Sequence, residues 1–345
     1  MENFIENEDL YNNYFKEVPN FNDIIIKVMS VISIEEGDID EDVDKKIDVD
    51  KKIDVDKKID VNEKIDKTEA YDTLVLSGAS SSAFITLGAV QGAFDNHILK
   101  SVKNYIGTSS GAMISYLVCI GYSPIEIMVY ICTQGILDNL SNFNILNMVN
   151  GLGATEFSYI YEELEKMTIR KIGRLLTLED LKIKYGKTLV CITYNKTKNI
   201  TEYLSPDTHP KLPCLIALQM SSSLPLIFEK YYYNKECFID GGLCENFALK
   251  YAEKIGNKVL GINLGQISKN EEDLDGAFDL LKEIYDSLLI PINVIVDNNI
   301  IYKSEHSKII SIIPSKKTPF FDFSIDSRLR LDMFSEGYRT FCEQI

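Results

Sequence analysis

Gly107-Thr108-Ser109-Ser110-Gly111 is the segment that most constrains what this chain folds into. Apolar Tyr105 and Ile106 lead into it, and Ala112-Met113-Ile114-Ser115-Tyr116-Leu117-Val118 leads out. That order reads as strand, sharp turn, helix. Glycines on both sides of the turn let strand and helix approach closely, and the serine between them is lifted clear of the sheet. Its hydroxyl then stands at the positive end of the helix dipole. Five residues alone match by chance; the flanking strand and helix are what give the pattern weight.

The rest of the globular region repeats the same alternation. Asp72–Ser77 is a β-rich run ending in small residues, and Ala83–Phe94 reads as a helix. Val102–Ile106 is a strand and Gly111–Ile120 a helix closed by Gly121. Lys187–Thr193 and Lys258–Leu264 are further buried strands. Strands alternating with helices predict an α/β fold with a largely parallel central sheet. Residues 122–175 are expected to be mostly helical and to cap the C-terminal ends of the strands, where ligands bind in open α/β sheets. Tyr231-Tyr232-Tyr233 is expected to be a strand with one buried face, and Leu288–Asp297 to be core.

Residues 1–70 differ in kind. They carry 21 Asp/Glu against 10 Lys/Arg, a net of −11 out of −16 for the 345-residue chain. Asp-Lys-Lys-Ile-Asp-Val occurs three times over 44–61, with a decayed copy at 62–67. Six residues turn a helix by about 600°, so successive isoleucines form no stripe. The composition predicts a largely disordered acidic extension, with the globular domain over 71–345. No polybasic patch suggests nucleic acid, and the acidity favours neutral or zwitterionic surfaces over anionic ones. The opening residues lack an apolar signal core, and no run is apolar enough to span a membrane. Seven cysteines with no C-x-x-C pair point to reduced thiols in a cytoplasmic or intracellular setting, and with three scattered histidines they predict no metal site and no cofactor.

Three pieces of chemistry fall in order. Ser77-Gly78-Ala79-Ser80-Ser81-Ser82 follows the first strand, where free backbone N–H groups at a helix start can hold an oxyanion. Ser109 offers a nucleophile between Gly107 and Gly111. Asp240-Gly241-Gly242 offers a carboxylate on a tight turn. A serine needs a base to lose its proton. His97, His209 and His306 lie in unpromising contexts, so a Ser–Asp dyad fits the inventory better than a Ser–His–Asp triad. For each piece there is a plainer reading: a strand–helix turn, an ordinary β-turn, a helix N-terminus.

Taken together, Leu76-Ser77-Gly78, Gly107–Ala112, Ser221-Ser222-Ser223-Leu224-Pro225-Leu226-Ile227-Phe228 and Asp240–Asn246 resemble the patatin-like phospholipases over roughly residues 72–265. The resemblance implies a three-layer α/β/α fold and metal-free hydrolysis of lipid acyl esters by a Ser–Asp dyad. It makes Ser109 the nucleophile and Asp240 the base, with Gly78, Ala79 and Ser80 at the oxyanion and Gly241 and Gly242 shaping the aspartate turn. It implies a lipid substrate and transient association with a membrane surface. One departure stands out. The family's oxyanion loop reads Gly-Gly-Gly-x-(Arg/Lys)-Gly, and here Gly78-Ala79-Ser80-Ser81-Ser82-Ala83 keeps only the first glycine. A catalytically impaired lipid-binding or regulatory protein is therefore the alternative expectation.

Overall fold

The computed structural model describes residues 70–134, 136–265, 306–315 and 323–345. The acidic repeats and the 288–297 run lie outside the described residues.

Five strands form a parallel core. β1 (Thr73–Leu76) pairs with β2 (Asn104–Thr108) and with β7 (Val259–Leu264); β2 also pairs with β3 (Thr188–Asn195), and β7 with β8 (Ser307–Ile312). Three antiparallel strands extend the sheet: β4 (Ile200–Leu204) and β6 (Glu236–Asp240) on β3, and β5 (Tyr231–Tyr233) on β6. β2 begins two residues later than its sequence pattern suggests. The Val102 and Lys103 N–H groups bond to Leu99 and Asp72 carbonyls, in the connector rather than the ladder. β5 is an edge strand with Tyr231 and Tyr233 half-buried on one face and Tyr232 66% exposed on the other, so the face expected to be buried is covered only in part.

Helices cover both faces, as alternation of side chains along a buried parallel sheet requires. α1 (Ala83–Asp95) and α2 (Ser110–Cys119) follow β1 and β2. On the other face, Val75, Ile106, Val190, Ile192 and Val259 pack on Ala248, Leu249 and Ala252 at the start of α9 (Leu249–Ile255). Between them, in chain order, come α3 (Pro124–Thr133), α4 (Ile136–Ser141), α5 (Ile145–Val149), α6 (Ser158–Ile172), α7 (Leu178–Tyr185) and α8 (Cys214–Ser222). α3 starts on a capping box, Ser123 with Glu126, with Pro124 at the first helical position, so its entry is fixed by local chemistry. α10 (Ser327–Gln344) closes the chain against α1. The two helices meet glycine to backbone: a Cβ at Gly88 would lie 1.9 Å from the Phe334 carbonyl oxygen, and one at Gly337 1.8 Å from that of Ile85.

The segment 136–172 forms the cap. Its backbone is stitched to the chain just before β5, with the Ala154 N–H on the Leu226 carbonyl at 2.8 Å and the Thr155 N–H on that of Ile227 at 3.0 Å. Leu140, Phe157, Leu224, Ile227 and Phe228 bury one another at this seam, with Phe157 edge-on to Phe228. Among the described residues, no single helix is long and apolar enough to cross a membrane.

Candidate active site

Register alone brings two strand ends together. Ile192 of β3 pairs with Thr108 on one edge and Tyr203 on the other; Thr193 pairs with Asp240 and Glu202. β4 occupies one edge throughout, so β2 and β6 share the opposite edge. They run toward each other, and their last residues, Thr108 and Asp240, take adjacent positions on β3. Ser109 and Asp240 are neighbours for that reason, although 131 positions separate them.

Ser109 caps α2 with φ 53° and ψ −124°, a conformation that L side chains rarely adopt. Two features hold it there. A Cβ at Gly107 would lie 2.5 Å from the Gly111 and Ala112 backbone, and one at Gly111 2.4 Å from the Ser77 carbonyl oxygen, so only glycine permits this closeness. The Ser109 N–H donates to Ser221 Oγ at 3.0 Å, and the Ser221 hydroxyl donates to the Ile192 carbonyl at 2.5 Å. A serine on α8 thus braces the elbow to β3. In sequence Ser221 is only the first residue of the Ser221–Phe228 block, which carries the resemblance without giving the serine this role.

The Asp240 carboxylate lies close enough to the Ser109 hydroxyl for that hydroxyl to favour its ionised form. The Gly242 N–H donates to Asp240 Oδ1 at 2.6 Å, and a Cβ on Gly241 would lie 2.3 Å from the Ile192 carbonyl oxygen. Asp240 is 2% exposed. Burial pushes its carboxyl up to about 6, against the pull of the Ser109 and Gly242 hydrogen bonds.

The loop after β1 lies beside them, and its donors are engaged. The Gly78 N–H reaches the Asn246 carbonyl at 3.3 Å, while Asn246 Nδ2 donates back to the Gly78 carbonyl at 3.1 Å. The Ala79 N–H donates to Ser110 Oγ at 3.0 Å. Ala79 keeps an ordinary negative φ, and Ser80 takes the left-handed one, φ 46°. The loop therefore holds a glycine-like bend without the glycine. Asn246 and Ser110 had no assigned role in the sequence; the glycine loss at 79–80 was the signal that something else must hold this loop.

Ser109, Asp240, Gly78, Ala79 and Ser80 all line one cavity of about 210 Å³. Its remaining wall is mostly apolar, with side chains from α1, α2, α3 and the cap, including Met113, Leu117, Ile131, Leu137 and Leu164, and a few polar residues such as Glu163 and Ser222. None of the three histidines lines it. An apolar chamber with a few polar groups at one point of its wall suits an apolar ligand carrying one polar group.

Residues 74–253 match the family model of the patatin-like phospholipases. The chain is 34% identical over 194 residues to the probable lipid hydrolase 463L of Invertebrate iridescent virus 6, across 54% of this chain and 65% of that protein. It is 26% identical over 202 residues to the uncharacterized protein R571 of Acanthamoeba polyphaga mimivirus, across 58% and 67%. The alignment thus spans just under two thirds of the first of these relatives. Among solved structures, VipD from Legionella pneumophila superposes with a TM-score of 0.45 at 16% identity, covering 80% of this chain and 67% of that one. ExoU of Pseudomonas aeruginosa, in complex with SpcU, gives 0.41 at 12% identity, covering 79% and 51%.

Proposed function

The chain belongs to the patatin-like phospholipase family, and from that premise we propose that it is a lipid acyl hydrolase working through a Ser109 acyl-enzyme. The observation that carries the proposal is the meeting of Ser109 and buried Asp240 at the wall of one apolar chamber, where β2 and β6 end side by side on β3.

Asp240 is the base. A carboxyl near 6 is mostly ionised at neutral pH yet basic enough to take a hydroxyl proton as the bond to carbon forms. Ser109 Oγ attacks the ester carbonyl, Asp240 accepts its proton and passes it to the leaving alcohol, and the acyl group stays on Oγ. Water then reverses the sequence and releases a carboxylic acid. The developing oxyanion accepts from the Ala79 N–H, displacing the Ser110 hydroxyl that holds this donor in the free protein. The apolar wall supplies acyl-chain binding at about 0.8 kcal/mol per buried methylene.

A second reading has its own observation. The Gly78 and Ala79 N–H groups are both engaged within the protein, which favours a lipid-binding module that no longer turns over. Zwitterionic phosphatidylcholine vesicles separate the two. Fatty-acid release by the wild type and none by Ser109→Ala supports the hydrolase. Co-sedimentation with vesicles without release supports the module and overturns the catalytic reading.

A further inference from the structure

Ser222 is 2% exposed and its hydroxyl meets no hydrogen-bond partner among the described residues. A buried hydroxyl left unpaired is destabilising, so its presence calls for something that satisfies it in the working protein. Its neighbours are not in this state. Ser221 donates to the Ile192 carbonyl and Ser223 donates to that of Gln219 at 2.7 Å. Of the three serines, only Ser222 lines the cavity that contains Ser109 and Asp240.

The chain on either side fixes where it stands. Ser221 Oγ accepts the Ser109 N–H, and the Ser223 carbonyl accepts the Asp240 N–H at 3.0 Å. Ser222 therefore sits between the two residues that grip the dyad. It also approaches from a definite side. The oxyanion loop follows β1, on one flank of β2. α8 is fastened to β3 through Ser221, on the other flank, where Asp240 arrives on β6. Ser222 thus belongs to the base side of the elbow rather than the oxyanion side. Turned toward the cavity that its residue lines, the Ser222 hydroxyl would offer a water there a second polar partner beside the Asp240 carboxylate.

We propose that the Ser222 hydroxyl holds the water that hydrolyses the Ser109 acyl-enzyme and presents it to Asp240. This rests on the acyl-hydrolase reading above. In the step, the water oxygen bonds to the acyl carbon while Asp240 takes one of its protons. The tetrahedral intermediate then collapses, the bond from carbon to Ser109 Oγ breaks, and Oγ recovers that proton from Asp240. A carboxylic acid leaves. Ser222 gains and loses no proton overall; it accepts or donates a hydrogen bond to the water.

Ser222→Ala tests this with p-nitrophenyl decanoate. Acylation is read as early nitrophenolate release, and deacylation as decay of the acylated mass of quenched enzyme. The expected result is deacylation about tenfold slower, the range of one lost hydrogen bond, with acylation within about twofold of wild type. Thermal stability should be unchanged or higher, because the hydroxyl removed had no partner. Equal slowing of both half-reactions would place Ser222 at the oxyanion and overturn the proposal, as would an unchanged deacylation rate. A wild type that forms no acyl-enzyme would instead refute the acyl-hydrolase reading.

Discussion

Replacing Asp240 by Asn should abolish hydrolysis and make the protein more stable. The carboxyl is held at about 6 against an ordinary 3.8, with burial as the leading cause. The folded state therefore favours the protonated form, and the ionised form weakens it. The gap corresponds to ~3 kcal/mol, fully felt above about pH 6 and gone below the unfolded value near 3.8. Asn is isosteric, keeps an oxygen for the Gly242 N–H and carries no charge to desolvate. Urea denaturation should show Asp240→Asn more stable than wild type by ~3 kcal/mol at pH 8. The difference should shrink to about 1.5 kcal/mol at pH 5, where the native carboxyl is largely protonated. A variant less stable than wild type at pH 8, or a difference that does not change with pH, would refute the argument that Asp240 is a desolvated base.

As the proposed base, the same carboxyl would have to be ionised to act, so kcat/KM for a soluble ester should rise with pH through about 6 and level off above it; a profile flat from pH 5 to 8 would exclude Asp240 as the titrating base. Ser109 holds a glycine-like φ of 53°. Ser109→Gly should therefore be about 1 kcal/mol more stable than Ser109→Ala by chemical denaturation, with both inactive. At the α1–α10 contact, Gly337→Ala would set a Cβ 1.8 Å from the Ile85 carbonyl oxygen. Separating the helices should cost roughly 2–3 kcal/mol, seen as a fall of about 5–10 °C in Tm.

The elbow was legible because its constraints are local. Two glycines and a serine between an apolar run and a helix leave few conformations, and the structure puts Gly107 and Gly111 where no side chain fits. The strand–helix alternation gave the sheet for a related reason, since buried parallel strands read as apolar runs. What stayed hidden is long-range. The approach of Asp240 depends on β6 pairing with Thr193–Asn195 on the edge that β2 vacates, a register no local pattern encodes. The bracing of Ser109 by Ser221, and of Ala79 by Ser110, joins residues 112 and 31 positions apart. In sequence these serines look alike; in the fold one braces, one donates to its own helix and one lacks a partner among the described residues. The depleted oxyanion loop was legible as a departure. That Ser80 would carry the left-handed bend was not, because a serine in sequence gives no sign of a positive φ.

The central claim is that Ser109 is an activated nucleophile beside a working oxyanion site. Labelling with a fluorophosphonate tests it most directly, because the probe bonds only to a serine that can lose its proton and stabilise the resulting adduct. Stoichiometric labelling of the wild type, mapped to Ser109 and lost in Ser109→Ala, is the predicted result. A folded wild type that takes up no probe, or labelling that persists in Ser109→Ala, would contradict it.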